Sequence, residues 1–180
     1  MKTSILNIIV CGTGGRGVQT LSNLIRKLAN KSGYRCEGAT FKGGAQKMGT
    51  VYSELRMVRS EAPIIISSQI PKGEAHLLIA LEPWEALRFA HYCSRQTKVI
   101  VNTDVELLFV ERYFTKPIEH PVDQLKELFY EPILKNYSIL SQELISSKKS
   151  ANILILQDAI QNQLLPFSLE DIEALNEYYE

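Results

Sequence analysis

A short apolar run leads into clustered glycines and then into an amphipathic pattern, and this stretch constrains the fold more than any other. Residues 5–11 are apolar apart from one Asn and are rich in β-branched side chains, which is typical of a strand buried on both faces. Gly12, Gly14 and Gly17 follow with G-x-G-x-x-G spacing, and Gly15 is an additional glycine. Apolar residues then recur with a helical period. The sequence therefore predicts a buried strand, a tight turn and a helix.

This glycine turn has two interpretations. A strand-to-helix crossover without any ligand needs only one glycine, whereas several glycines let a ligand or another backbone come close. The free N–H groups and the dipole at the start of the predicted helix would favour an anion. We therefore expect a ligand- or partner-facing turn, whose candidate residues are Gly12, Gly14, Gly15, Arg16 and Gly17.

Two more apolar runs, residues 75–81 and 98–102, have the character of buried strands. A helical pattern that begins at Pro83 separates them, so strands and helices alternate along the chain. This order predicts an α/β fold with a single Rossmann-like domain over residues 1–180 and a mostly parallel sheet with helices on both faces. The other predicted elements are a sheet continuation at 64–66, helices at 133–149 and 152–165, and a last helix with Ser168 as its N-cap.

A second glycine-rich stretch, residues 38–50, lies between predicted strands at 34–37 and 51–57 and predicts a loop. Its basic, amide and glycine residues suit a clamp for a phosphate or carboxylate, or a close contact with another subunit. The competing interpretation is a plain surface loop. The candidate residues are Lys42, Gly43, Gln46, Lys47 and Gly49.

Charge is unevenly distributed along a chain whose formal net charge is zero. Residues 1–60 hold ten Lys and Arg but only two acidic residues, so this third is a candidate anion- or partner-facing surface. Both glycine-rich loops follow predicted strands, and such loops collect at the carboxyl edge of an open α/β sheet. We expect Arg16, Lys42 and Lys47 to converge there, with no acidic residue between them, on an anion or an acidic partner. No recognised module points to nucleic acid.

Catalytic and metal-binding patterns are sparse. The three cysteines have no metal-like or redox-like spacing, and an iron–sulfur cluster wants about four, so we expect buried reduced thiols in a cytoplasmic protein. His76, inside an apolar run, is expected to be a core histidine. Glu82 lies at the end of a predicted strand, where it either contacts a ligand or caps the next helix. No apolar run reaches membrane-spanning length, which excludes a membrane helix.

The glycine spacing leaves one rival function open. A dinucleotide-binding enzyme also needs an acidic residue about twenty positions on, at the end of the second strand, and Glu37 follows Gly17 by that interval. A further rival is a binding module for a phosphorylated ligand such as CoA.

The motifs together resemble one family, the gamma-type domain of 2-oxoacid:ferredoxin oxidoreductases. Residues 12–18 resemble its G-x-G-G-Q-G-V opening, and residues 42–51 resemble its H-G-M-A-Q-R-G-G-S-V loop. Residues 70–75 are similar to I-P-E-G-E-A and residues 81–88 to x-E-P-L-E-A-L-R, with the greatest likeness to the beta subunits of indolepyruvate ferredoxin oxidoreductases. Arg16 stands where the family has Gln, Lys42 where it has His, and residues 47–48 where it has Arg-Gly.

The resemblance implies a non-catalytic accessory subunit of a heteromeric enzyme. The family reaction is oxidative decarboxylation of a 2-oxoacid to an acyl-CoA, with electrons passed to ferredoxin. By that resemblance, thiamine diphosphate, iron–sulfur clusters and CoA belong to the complex and none is bound by this chain alone. The implied partner is a catalytic subunit that carries thiamine and clusters, ferredoxin is an indirect partner, and a homodimer is compatible with this assignment.

Overall fold

The computed structural model describes residues 5–44, 49–105, 120–143 and 150–176. The strands are β1 (Leu6–Thr13), β2 (Tyr34–Lys42), β3 (Thr50–Arg59), β4 (Ala75–Ala80), β5 (Cys93–Asn102) and β6 (Ile133–Lys135). The α-helices are α1 (Val18–Lys31), α2 (Pro83–Arg88), α3 (Pro121–Leu128), α4 (Tyr137–Glu143), α5 (Ala151–Gln161) and α6 (Leu169–Asn176), and a 3-10 turn spans Ala90–Tyr92.

The six strands form one sheet in the order β2-β3-β1-β4-β5-β6. The pairs β1–β4, β4–β5 and β5–β6 are parallel. Strand β3 is antiparallel to both of its neighbours, β1 and β2. The predicted α/β fold with a mostly parallel sheet is confirmed, and β3 is the strand that the sequence did not identify as antiparallel.

Strand β1 is central to the core because its side chains alternate between two apolar clusters. Ile8 and Val10 pack in a cluster that contains the buried face of α1 and residues of α5. Ile9 and Cys11 pack in a second cluster with residues of α2 and α3. Helices therefore cover both faces of the sheet, as predicted. Burying one such aliphatic side chain completely stabilises the fold by about 1.5–3 kcal/mol.

The packing and the end of α1, and the start of α6, follow from residues within each helix or next to it. The apolar stripe of α1 is buried at Leu21, Leu24, Ile25 and Leu28, as its period predicts. The helix ends beside Gly33, which has φ 76. Ser168 caps α6 as predicted, because its Oγ accepts a hydrogen bond from the Asp171 N–H at 3.2 Å.

Three predicted elements are wrong. Residues 38–42 are not loop, because β2 continues to Lys42 in unbroken register with β3. Residues 133–135 are not helix, because they pair in parallel with the end of β5. Residues 64–66 are not strand: the Arg35 guanidinium donates to the carbonyls of Ala62 and Ile64 at 2.9 and 2.7 Å, which holds the segment outside the sheet. In each case contacts with segments distant in sequence decide the structure, which a local pattern does not show.

Candidate functional site

The two glycine-rich loops meet at one edge of the sheet. Strands β1 and β2 both end there, and β3 starts between them in the antiparallel direction. The Gly14 N–H donates to the Gly49 carbonyl at 2.8 Å, and the Gly43 N–H donates to the Thr50 carbonyl at 2.7 Å. The predicted proximity of the two loops is therefore confirmed by direct backbone contact.

The first loop is a tight turn of bare backbone. The Arg16 N–H donates to the Thr13 carbonyl at 3.2 Å, which closes the turn. Gly15 has φ 97, a conformation that favours glycine, and an added Cβ there would meet nothing within 4 Å. Gly14 and Gly15 are both exposed. The turn therefore presents its backbone to whatever approaches this edge.

The two outer glycines of the motif serve packing instead. A Cβ on Gly12 would lie 3.0 Å from Leu81 Cβ and 3.1 Å from Val18 Cγ2. Gly17, with φ 86, is the N-cap of α1, and a Cβ there would overlap Asn152 Nδ2. Asn152, near the start of α5, donates to the Gly17 carbonyl at 3.4 Å. These glycines let two helix starts approach each other behind the turn.

Arg16 forms an ion pair with Asp104, which follows β5, at 2.6 Å. Burial alone would raise the pKa of Asp104, but hydrogen bonds from Ser138 and Arg16 and the charge of Arg16 lower it below its usual value. The expectation that no acidic residue lies among the converging cations is wrong for Arg16. The pair is 88 residues apart in sequence, so only the sheet order brings it together.

The other basic candidates lie along the second loop. Lys42 ends β2 and is exposed. Gln46 and Lys47 lie outside the described residues, and the convergence of Lys47 with Arg16 and Lys42 stays a prediction. Gly43 and Gly49, on either side of that gap, are placed at the common edge by their backbone hydrogen bonds.

Glu82 and Glu85 form a buried acidic corner after β4. Glu82, 1% exposed, accepts the Glu85 N–H at 2.9 Å and so caps α2, which confirms its capping interpretation. Glu85 Oε1 accepts from the Thr50 hydroxyl and from Arg88 Nε, both at 3.1 Å. Glu85 Oε2 is buried without a hydrogen-bond partner. Glu85 is not among the residues expected from the sequence, because its hydrogen bond with Thr50 joins residues 35 positions apart.

Glu37 does not occupy the position that a dinucleotide-binding fold requires. It lies in the middle of β2, is exposed, and is opposite Arg56 of β3. Strand β3 separates β2 from β1, whereas the Rossmann arrangement places the second strand beside the first. Five residues of strand, about 16 Å, separate Glu37 from the carboxyl end of β2. The spacing that suggested a dinucleotide site is therefore a coincidence of sequence.

The thiols and histidines are dispersed. The described residues contain no group of three His, Cys, Asp or Glu side chains that could hold a metal ion. The cysteines are free; burial raises the pKa of Cys36 and of Cys93 to about 11. Cys11 is buried as expected, but the other two are only partly buried. His76 is exposed, its Nδ1 accepting the Asn7 N–H at 3.0 Å, so the prediction of a core histidine is wrong.

No described helix is both long enough and apolar enough to cross a bilayer.

Comparison with known proteins identifies related sequences. A family model described as pyruvate ferredoxin/flavodoxin oxidoreductase matches residues 7–177. The chain is 30% identical over 173 residues to indolepyruvate oxidoreductase subunit IorB of Archaeoglobus fulgidus, an alignment covering 93% of this chain and 82% of that protein. It is 38% identical over 99 residues to the subunit of the same name from Methanothermobacter thermautotrophicus, covering 55% of this chain and 48% of that relative.

Solved structures share the fold. Pyruvate oxidoreductase subunit PORC from Thermotoga maritima superposes with a TM-score of 0.66 at 14% identity, covering 99% of this chain and 86% of that one. The 2-oxoglutarate:ferredoxin oxidoreductase from Magnetococcus marinus, solved with 2-oxoglutarate, coenzyme A and succinyl-CoA bound, also gives 0.66, at 16% identity. This chain aligns over 99% of its own length but over only 27% of that protein. At these identities the likeness concerns the fold.

Proposed function

This chain belongs to the pyruvate ferredoxin/flavodoxin oxidoreductase family, and on that premise we propose that it is an accessory subunit of a heteromeric 2-oxoacid:ferredoxin oxidoreductase. The 2-oxoacid is indolepyruvate, by analogy with the IorB relative that aligns over most of both chains. The reaction supported is oxidative decarboxylation to an acyl-CoA, with electrons passed to ferredoxin. In this proposal the catalytic groups belong to another subunit of the complex.

One observation carries the assignment of a partner-facing edge: the Gly14 N–H···O=C Gly49 hydrogen bond, which joins the two loops that carry the family motifs. The exposed turn beside it has no side chain at Gly14 or Gly15. Backbone that is free of side chains permits close approach by another chain. The proposed partner surface therefore comprises the turn from Gly12 to Gly17, the loop ends Lys42, Gly43 and Gly49, and the corner at Glu82, together with Gln46 and Lys47 from the sequence.

The cysteines of this chain do not fit an iron–sulfur cluster. Such clusters need about four cysteine thiolates around one site. Here Cys11 is buried in β1, Cys36 lies in β2 and Cys93 begins β5, so the three thiols lie on three different strands. In this proposal thiamine diphosphate and the clusters belong to the catalytic partner, and this chain docks onto that partner and supports its geometry.

The test is capture of the catalytic partner by matched glycine variants. The chain is coexpressed with the thiamine- and cluster-carrying subunit encoded in the same genome, and complex formation is measured by gel filtration. Gly15→Asn places a side chain on the proposed surface at a φ that Asn tolerates. Gly33→Asn is the control, because Gly33 also has positive φ and nothing within 4 Å of an added Cβ, but lies at the opposite end of α1.

We expect Gly15→Asn to weaken the complex at least tenfold, which is about 1.4 kcal/mol, while Gly33→Asn binds as the unmodified chain does. Equal binding by both variants would show that the glycine edge is not the docking surface. Absence of any complex with the unmodified chain would contradict the proposed function itself.

A further inference from the structure

Strands β1 and β4 are parallel neighbours whose following helices lie on opposite faces of the sheet. Helix α1 packs in the apolar cluster that contains Ile8, whereas α2 packs in the cluster that contains Ile9. In an open α/β sheet, the crevice between two such strand ends receives ligands. Here Leu81 is buried in that crevice, and a Cβ on Gly12 would lie 3.0 Å from Leu81 Cβ. This packing favours contact with a surface that approaches the edge from outside over entry of a small ligand.

The ion pair between Arg16 and Asp104 bridges the loops on either side of β4. Arg16 belongs to the turn after β1 and Asp104 follows β5, and β4 lies between these two strands in the sheet. Neighbouring strands are about 4.8 Å apart, so the ends of β1 and β5 are about 10 Å apart, and the long Arg16 side chain spans part of this gap. Arg16 Nη1 and Asp104 Oδ2 are 2.6 Å apart. A carboxylate of this chain therefore matches the charge of Arg16 at the edge proposed for docking.

A polar network that begins at a buried amide holds Asp104 in position. The Ser138 hydroxyl donates a hydrogen bond to the Asp104 carboxylate. Ser138 Oγ in turn accepts a hydrogen bond from Asn102 Nδ2 at 3.0 Å. Asn102 is 3% exposed, and its Oδ1 accepts the N–H groups of Tyr137 at 3.0 Å and of Asp104 at 3.4 Å. The carboxylate that receives Arg16 is therefore fixed, unlike the partners in an ordinary pair of flexible surface side chains.

The other basic residues at this edge differ in how their charges are matched. Lys135, the last residue of β6, forms an ion pair with Asp158 of α5 at 2.6 Å. Lys42, the last residue of β2, is exposed and forms no ion pair within the part of the chain that the structure describes. An approaching surface therefore meets a neutral pair at Arg16 and a cation at Lys42.

We propose that the catalytic subunit recognises Arg16 and Asp104 as one neutral, paired group, which makes Asp104 a specificity-determining residue of the docking edge. This inference rests on the proposed function, because it concerns the surface on which that subunit docks. The pair has the same net charge as the Gln that the family motif carries in place of Arg16. An acidic patch opposite this group would be repelled by the fixed Asp104 carboxylate, so a subunit with such a patch is excluded. The surface that fits here is polar and carries no acidic group facing Arg16.

A double-mutant cycle on the docking affinity tests this proposal. The dissociation constant of the complex with the thiamine- and cluster-carrying subunit is measured at low and at high salt for Arg16→Gln, Asp104→Asn and the double variant. Each single variant leaves one charge without its partner, so each should weaken binding about tenfold at low salt. The double variant is neutral again and should bind within about twofold of the unmodified chain. Added salt should reduce both single losses, because it screens the unmatched charge, whereas a purely structural loss would persist.

Lys42→Gln provides the matched control, because it removes a cation from the same edge without breaking an ion pair. Adding Asp104→Asn to Lys42→Gln gives the same net charge as Arg16→Gln/Asp104→Asn, but it leaves Arg16 without its carboxylate. This second double variant should therefore bind about tenfold more weakly than Lys42→Gln alone. If Asp104→Asn restores binding in both backgrounds, only net charge matters and the proposal is wrong.

Two other results overturn the proposal. Equal affinity of all the Arg16 and Asp104 variants would place the pair outside the docking surface. Weak binding by both Arg16 variants, together with undiminished binding by Asp104→Asn, would reveal an acidic partner group at Arg16. Either result leaves the proposed function intact, because a complex still forms. Absence of any complex with the unmodified chain would instead contradict the proposed function, and this inference with it.

Discussion

Replacing Gly17 by Ala tests how the glycine turn is built. Gly17 has φ 86, and its added methyl group would overlap Asn152 Nδ2. An L-residue in this left-handed region costs roughly 1–2 kcal/mol. Displacing Asn152 from the Gly17 carbonyl, to which it donates at 3.4 Å, removes a further contribution of about 0.5–1.5 kcal/mol. We expect Gly17→Ala to lower the free energy of unfolding by about 2–3 kcal/mol.

Gly15→Ala separates the two causes. Gly15 has φ 97 but nothing within 4 Å of an added Cβ, so this variant bears the backbone cost without the collision. Both variants also lose the same glycine flexibility in the unfolded chain, and this effect cancels between them. Urea denaturation should therefore show Gly17→Ala as less stable than Gly15→Ala by about 0.5–1.5 kcal/mol.

The double variant Gly17→Ala/Asn152→Ala completes the comparison. Without the Asn152 side chain the collision is gone, so adding Gly17→Ala to Asn152→Ala should cost no more than Gly15→Ala costs alone. If Gly17→Ala is no more destabilising than Gly15→Ala in the unmodified background, the close approach of α5 to the start of α1 is wrong.

Three further predictions concern single side chains. Asp104→Asn should cost under about 1 kcal/mol, because its partly exposed pair with Arg16 is screened by water. Since the folded-state pKa of Asp104 is lowered, the stability difference between the unmodified chain and Asp104→Asn should be present near pH 7 and shrink as pH falls below the ordinary carboxyl pKa. Denaturation at several pH values measures this difference, and a difference that grows in acid would contradict the prediction. Tyr137→Phe should cost about 1.5–3 kcal/mol in the same assay, because the buried hydroxyl donates to the Asp158 carboxylate at 2.5 Å. Burial raises the pKa of Cys36 to about 11, so this thiol should react with iodoacetamide at pH 8 more slowly than free cysteine does. Mass spectrometry of the labelled peptides measures the rate, and labelling of Cys36 as fast as free cysteine would contradict the prediction.

Local patterns in the sequence were sufficient for the central strand–turn–helix unit. An apolar run, clustered glycines and a helical stripe all lie within one continuous stretch, so each constrains the next. The capping roles of Glu82 and Ser168 were likewise visible, because a cap acts within one turn. These parts of the fold depend on neighbours in the chain.

The features of the fold and of the candidate site that the sequence did not predict share a physical cause. Strand β3 is antiparallel and β6 is a strand because of pairings with distant segments, which no local pattern encodes. The partner of Arg16 follows a strand 88 residues away, and the side chain that fits over Gly17 is 135 residues away. The sequence therefore identified the loops of the candidate site but not the acidic and amide side chains that hold them.

The central claim is that this chain supports catalysis by another subunit without performing it. Dye reduction by indolepyruvate and CoA is the direct measurement, made with this chain alone, with the thiamine- and cluster-carrying subunit alone, and with both. We predict no turnover by this chain alone and full turnover only when both are present. Turnover of a 2-oxoacid by this chain alone, or turnover by the partner that this chain leaves unchanged, would contradict the claim.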